Sequence, residues 1–321
     1  MLKYNDVKEA YERIKQHVTR TPLEKSYVLS DENSEFFMKL ECNQSSGRSY
    51  KVRGVFSKLT SMTEEELNKG VTAISSGNHG VALAYASKLL GVDKAEIFVP
   101  ETTPMPKVQR MENFGATVNK VGKNYDEAHT IAEKIINEGT MTDINPCEDP
   151  VAVAGQGTVA IEILEQNPDI DIILVPIGGG GLITGVAVAA KAIKPSIEII
   201  GVQTDACPAM KASMDENVWH EYYETKESIC DALVGGVSKL PYEMSYQCID
   251  EVITVSEDTI RKATMKMLWN EKVICEPSSA TCYGAVIENR ARFQGKKTAM
   301  VITGGNISSE LIKELVKESM E

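Results

Sequence analysis

The run Ile172-Ile173-Leu174-Val175-Pro176-Ile177-Gly178-Gly179-Gly180-Gly181-Leu182 decides how this chain folds. Its first six residues are apolar without alternation, the pattern of a strand covered on both faces in a parallel sheet. Glycines 178–181 follow, and then residues 182–193 read as an apolar helix. A strand that enters a helix through bare glycines presents backbone N–H groups and a helix N-terminus to whatever sits in the turn. That arrangement suits a phosphate. A plain strand-to-helix turn is the alternative, but successive glycines cost much backbone entropy, so the phosphate reading is preferred.

Outward from this loop the same design recurs. Residues 197–203 read as the next strand, so 172–202 runs strand, glycine loop, helix, strand. Residues 71–99 do likewise: strand 71–74, a loop with Gly77, helix 80–90, strand 95–99. Beyond them the pattern predicts a helix over 106–114, a strand over 116–121, a helix over 124–137, a break at 145–150 and a helix over 157–166. Upstream, Asn5 caps a helix over 6–18 with Val7, Ala10, Tyr11 and Ile14 on one face; a strand over 36–40 and a helix over 50–62 follow. Downstream come helices over 258–270 and 278–293, a strand over 298–303 and a helix to the end. Strands separated by helices imply an α/β fold of mostly parallel sheets with helices on both faces. The expected layout is two lobes with a ligand between them. One lobe is residues 66–147, and the other joins 1–65 to 148–321. Little chain follows residues 306–311, so no C-terminal regulatory domain is expected.

Composition narrows the function. The 321 residues are 42% hydrophobic and 25% charged, a balance suited to a globular core. A net charge of −12 disfavours nucleic acid as a partner. The seven cysteines are scattered without CxxC spacing and the four histidines do not cluster, so neither a disulfide framework nor a metal site is expected. The N-terminus lacks the apolar core of a signal peptide, and residues 178–190 are too short and glycine-rich to span a membrane. A cytoplasmic protein without membrane partners is the expectation.

Four further stretches carry candidate chemistry. Ser75-Ser76-Gly77-Asn78-His79-Gly80 lies between a strand and a helix; its hydroxyls and free N–H groups suit a carboxylate, or equally a helix cap. Ser49-Tyr50-Lys51-Val52-Arg53-Gly54 opens a helix. A crowded lysine there has a depressed pKa and becomes a nucleophile able to form a Schiff base; a solvated surface lysine is the alternative. Ile302-Thr303-Gly304-Gly305-Asn306 places a hydroxyl at a strand end, where ligands sit in parallel sheets, or makes an ordinary turn. Cys275-Glu276-Pro277-Ser278-Ser279-Ala280 reads as a capped helix start, with Glu276 facing a ligand or complementing the dipole. The glycines fall short of a dinucleotide fingerprint: from Gly179 and Gly181 the third glycine is due at Thr184 but comes at Gly185. Asp205 lies at a suitable distance for a ribose, which keeps a nicotinamide dehydrogenase open as an alternative.

Taken in order, these stretches resemble the fold-type II pyridoxal-phosphate enzymes, in particular the serine/threonine dehydratase and serine racemase family. The resemblance runs from about residue 11 to residue 306. It implies a tryptophan synthase β-like architecture, in which 1–65 and 148–321 bind pyridoxal 5'-phosphate and 66–147 form a small mobile domain. It also implies roles. Lys51 holds the cofactor as a Schiff base and moves the α-proton. Gly178, Gly179, Gly180, Gly181 and Leu182 hold its phosphate. Asn78 meets its phenolic oxygen, Thr303 its pyridine nitrogen, and Glu276 lies beside the ring. Ser75, Ser76, Asn78 and His79 receive the substrate carboxylate. Cys147 falls where some relatives carry an asparagine. Gln203 replaces a cation-binding glutamate, so no metal site is carried over. The implied activity is dehydration and deamination of L-threonine or L-serine by a homodimer or homotetramer. Racemisation, with Ser76 acting opposite Lys51, is the alternative.

Overall fold

The computed structural model describes residues 1–45, 47–123 and 125–319. Ser46, the expected helix start at Asn124 and the expected helix end at 320–321 lie outside them. The chain begins with α1 (Tyr4–Ile14), β1 (Leu23–Lys25), β2 (Glu35–Lys39), a 3-10 turn (Glu41–Asn43), α2 (Lys51–Leu59) and α3 (Glu64–Lys69). Then come β3 (Val71–Ile74), α4 (Asn78–Leu90), β4 (Ala95–Val99), α5 (Met105–Glu112), β5 (Thr117–Lys120), α6 (Tyr125–Glu138) and β6 (Thr142–Asp143). The rest is α7 (Pro150–Gln166), β7 (Ile172–Pro176), α8 (Gly181–Ile193), β8 (Glu198–Thr204), α9 (Ala209–Glu216), α10 (Lys239–Cys248) and β9 (Glu251–Val255). It closes with α11 (Glu257–Trp269), α12 (Pro277–Glu288), a 3-10 turn (Arg290–Phe293), β10 (Lys297–Val301) and α13 (Ser309–Glu318).

Two sheets organise these elements. The larger has the order β1-β2-β10-β7-β8-β9 and is parallel except where β1 meets β2. The smaller, β5-β4-β3-β6, is parallel throughout. This is the α/β architecture the apolar runs predict. Strand β7 shows why. Side chains alternate across a sheet, so Ile173 and Val175 pack under α1, α7 and α8 while Ile172 and Leu174 pack under α11 and α12. Every residue of β7 is buried, and each large apolar side chain removed from water stabilises by about 1.5–3 kcal/mol. A third core joins α2 and α4 to the small sheet through Val55, Phe56, Val71 and Ile97.

Some boundaries differ from the expectation. Helix α1 starts earlier, at Tyr4, because Asp6 rather than Asn5 closes its first turn: Lys3 N–H donates to the Asp6 carboxylate at 2.7 Å. Helix α7 starts at Pro150, capped by Asp149, whose Oδ1 accepts from Val151 N–H at 2.8 Å. Elements β1, β6, β9, α3, α9 and α10 go beyond the expectation: the three strands are made regular by pairing with β2, β3 and β8, and α3 is closed by a capping box between Thr63 and Glu66. No helix among the described residues is long and apolar enough to cross a membrane. The carboxyl ends of β3, β7 and β10 point loops 75–79, 177–181 and 302–306 toward one crevice, the usual ligand position in parallel sheets.

Candidate active site

The glycine loop is built by exclusion. Ile177 N–H still pairs with Val202 at 2.8 Å, so the strand is held until the loop begins. Gly180 then turns left-handed at φ 97°, and a Cβ there would lie 2.5 Å from Pro241. At Gly181 a Cβ would lie 2.5 Å from the Pro146 carbonyl. Bare backbone is therefore required here by both conformation and space. The first N–H groups of α8, from Gly181 and Leu182 onward, have no acceptor within the helix, and its dipole adds positive potential. Around them stand Cys147 and Ser238, which a Cβ on Gly179 would meet at 3.0 and 3.3 Å.

Lys51 is the first residue of α2, and backbone pairing sets its place. Tyr50 N–H donates to the Thr303 carbonyl at 3.0 Å, Gly305 N–H donates to the Arg48 carbonyl at 2.9 Å, and Ser49 bridges Gly304. The lysine loop and the Thr303 loop are thus one unit. The Lys51 side chain is half-buried, with Nζ 4.9 Å from the centre of the Tyr50 ring. Gln156 links this helix to the glycine loop. Its amide Nε2 lies 3.0 Å from where Gly54 would carry a Cβ, and its Oε1 lies 3.0 Å from that position on Gly181.

A second unit joins Asn78, Glu276 and Asn306. Asn78 Nδ2 donates to Glu276 Oε1 at 2.7 Å, and Asn78 Oδ1 accepts from Asn306 Nδ2 at 2.5 Å. Asn306 N–H donates to Glu276 Oε2 at 3.2 Å, and Arg110 on α5 donates to Asn306 Oδ1. Burial first, and then the charge of Asp231, push the Glu276 carboxyl up to about 7. Thr303 is buried, its hydroxyl 2.8 Å from that of Ser279; Ser279 also accepts from Gly304 N–H at 2.7 Å and lies 2.9 Å from the Gly304 carbonyl.

Loop 75–79 forms the remaining wall. Ser75 Oγ accepts from Gly77 N–H at 3.3 Å, while Ser75, Ser76 and Asn78 are half-buried and the space beside Gly77 is open. His79 is buried, with Nε2 2.5 Å from the Ile144 carbonyl. That contact requires the proton on Nε2. Burial, with Lys51's charge adding, pushes the imidazole down to about 3, so the ring is neutral. Among the described residues, three buried polar atoms near this crevice have no hydrogen-bond partner: Ser49 Oγ, Gln156 Oε1 and His79 Nδ1.

The fold therefore brings the glycine loop, Lys51, Asn78, Glu276 and Thr303 to one crevice, with Ser75 and Ser76 on its small-sheet side. His79 faces it without a free N–H. Sequence reasoning passed over Gln156, Ser279 and Asn306. A lone glutamine inside the apolar run Val153-Ala154-Gly155-Gln156-Gly157 is a signal for the first. Ser279 and Asn306 sit inside quoted motifs and show their part only through contacts.

Comparison with known proteins bears on this geometry. The family model described as pyridoxal-phosphate dependent enzyme matches residues 14–304. The chain is 37% identical to an L-threonine ammonia-lyase of Thermotoga maritima, covering 100% of this chain and 79% of that one. It is 36% identical to a catabolic L-threonine dehydratase of Staphylococcus aureus, covering 98% and 92%. The solved structure of maize serine racemase matches with a TM-score of 0.90 at 30% identity, covering 99% of this chain and 98% of that one.

Proposed function

The chain belongs to the family of pyridoxal-phosphate dependent enzymes, and from that premise we propose that it dehydrates and deaminates L-threonine, L-serine or both, yielding a 2-oxo acid and ammonia. The named activities of its lyase and dehydratase relatives support this reading. The observation that carries it is Lys51, half-buried at the start of α2, a helix whose Gly54 and the glycine loop's Gly181 both pack beside Gln156.

The residues fit pyridoxal phosphate. A loop with no room for side chains, at a helix N-terminus, suits its phosphate. Two buried atoms without a partner among the described residues lie nearby: Ser49 Oγ, two positions before Lys51, and Gln156 Oε1, beside Gly181 of the loop. Gly178 to Leu182 would hold the phosphate, Lys51 the aldehyde carbon, Asn78 the phenolic oxygen and Thr303 the ring nitrogen, with Glu276 at the edge. When bound, the cofactor supplies an electron sink for breaking a bond at the substrate's α-carbon.

The chain's own residues do the rest. Lys51 Nζ takes the α-proton, as a base within hydrogen-bond reach. The hydroxyls and N–H groups of Ser75, Ser76 and Asn78 orient the substrate carboxylate. His79 is a wall of this pocket rather than a donor, because its one N–H is committed to Ile144. Thr303 offers a neutral hydroxyl to the ring nitrogen, so the sink is weaker than with a carboxylate partner and prompt loss of the β-hydroxyl is favoured over transamination. Ser279 has one proton and two acceptors, the Gly304 carbonyl and Thr303. When it turns to Thr303, the Thr303 proton is released for the ring. We assign residues 66–147 to a small domain that closes on the rest, and the working form to a cytoplasmic homodimer or homotetramer.

The test is a product assay on protein incubated with pyridoxal phosphate, across L-serine, D-serine, L-threonine and hydroxyaspartate. The expected results are a violet-absorbing protein, borohydride fixation at Lys51, 2-oxobutyrate from threonine and pyruvate from serine. A protein that stays colourless, or gives no keto acid, sinks the proposal. A racemase reading is favoured by one observation, the half-buried Ser76 beside open space at Gly77. It predicts D-serine from L-serine, lost in Ser76→Ala while elimination persists.

A further inference from the structure

Arg53 lies two residues past Lys51 on α2, and 0% of it is exposed. Two carboxylates grip its guanidinium, each with both oxygens. Nε and Nη2 donate to Glu41 Oε2 and Oε1 at 2.7 and 2.8 Å. Nη1 and Nη2 donate to Glu162 Oε1 and Oε2 at 2.7 and 2.8 Å. Thr158 Oγ1 on α7 accepts from Nη1 at 3.2 Å. Lys39 at the end of β2 completes the cluster, donating to Glu162 Oε2 at 2.6 Å, to the Thr21 carbonyl at 2.7 Å and to Gln166 at 3.0 Å. Glu41 Oε1 also accepts from Thr21 at 2.6 Å. Burial by itself would lower the Arg53 pKa, but Glu41 and Glu162 outweigh it and keep the guanidinium charged.

The cluster is neutral in sum, with two cations and two carboxylates, all buried. Such clusters are poor sources of stability, since well-packed apolar groups often do as well or better. What paired forks supply is geometry, because a planar guanidinium held on two sides can neither slide nor rotate. Helix α2 needs that geometry. Its N-cap, Tyr50, makes no side-chain capping bond, and its first turn holds no acidic residue. Lys51 itself opposes the helix dipole there. Residues two apart on a helix point roughly 200° apart. Arg53 therefore anchors the buried face of the turn whose other face carries Lys51.

We propose that Arg53, gripped by Glu41 and Glu162, is a positioning residue that fixes the first turn of α2 and so the height and direction of Lys51 Nζ. The proposal rests on Lys51 being the cofactor lysine. Arg53→Lys keeps the charge and loses the fork. In the cofactor-loaded full chain, kcat for keto-acid formation should fall about ten- to a hundredfold, with KM changed less than about threefold. The cofactor should still bind, but the share of it fixed to Lys51 by a timed borohydride quench should drop. Arg53→Met with Glu41→Gln keeps the cluster neutral through Lys39 and Glu162, and should lose kcat similarly. Phe293→Leu, in the core on the other face of the sheet, is the control for general loss of stability and should keep kcat and the quench yield. Folded variants with wild-type kcat and quench yield would overturn the proposal. Should both fail to fold, Thr158→Val removes one acceptor at equal volume; a fall of about threefold supports positioning, and none overturns it. If the underlying reading is wrong, the outcome differs: the wild-type protein itself shows no fixation at Lys51.

Discussion

The two faces of one helical turn could hardly be treated more differently. On the buried face of α2, Arg53 has its forks filled by Glu41 and Glu162. On the other face, Lys51 looks over a crevice bordered by buried polar atoms of Ser49 and Gln156 that find no partner among the described residues. A buried polar group without a partner costs about 1–3 kcal/mol, so it persists where a ligand completes it. The satisfied face specifies position, and the unsatisfied face specifies what is bound.

The sharpest way to break this contrast is Lys51→Ala. Keto-acid formation should fall on the order of 10⁴-fold, while the urea-unfolding free energy stays within about 1 kcal/mol of wild type. A large stability loss would mean that the crevice face also holds the fold. The mirror experiment is Glu162→Ala, which strips Arg53 and Lys39 of a shared partner. Urea unfolding should show a loss of about 3–5 kcal/mol. A loss near zero would show that water enters the cluster and that the face is not dry.

Smaller effects sharpen the crevice side. Gly180→Ala places a side chain at φ 97° and against Pro241. Fluorescence titration should show pyridoxal phosphate binding weakened about tenfold; unchanged affinity would remove the glycine loop from the phosphate site. A last expected effect concerns Glu276, held at about 7 against an ordinary 4.5. The folded state binds this proton more tightly than the unfolded chain. Its stabilising contribution is therefore full below about pH 4.5 and is lost as pH rises through about 7. Glu276→Gln should flatten that part of the stability-versus-pH curve, measured by urea unfolding without added cofactor; an unchanged slope would assign it to other groups, such as Asp143, which burial pushes up to about 6.

How much of this was legible depends on sequence distance. Strand β7 and the glycines after it are contiguous, so their pattern alone predicts strand, loop and helix, and α8 begins where the glycines end. Ser75–His79 and Ile302–Asn306 are equally local. The cluster around Arg53 is not. Lys39 and Glu162 are separated by 123 positions, and each reads singly as an ordinary surface charge. The same holds for Glu276, Asn78 and Asn306, which lie in three motifs and meet only across the crevice. The role of His79 turned on a contact with the Ile144 carbonyl, and a carbonyl carries no signature in sequence.

The sequence by itself determined the α/β class, the loops at the strand ends and the residues proposed here to approach a phosphate and a carbonyl carbon. Apolar periodicity and glycine act over a few residues, which is the range that a linear reading covers. Only the tertiary structure decided that Lys51 stands on a turn clamped from behind, that His79 spends its proton on the backbone and that Glu276 sits where burial favours its neutral form. Those properties belong to side chains brought together from distant positions into a dry interior, where desolvation and hydrogen-bond geometry, rather than residue type, set the charge and direction of each group.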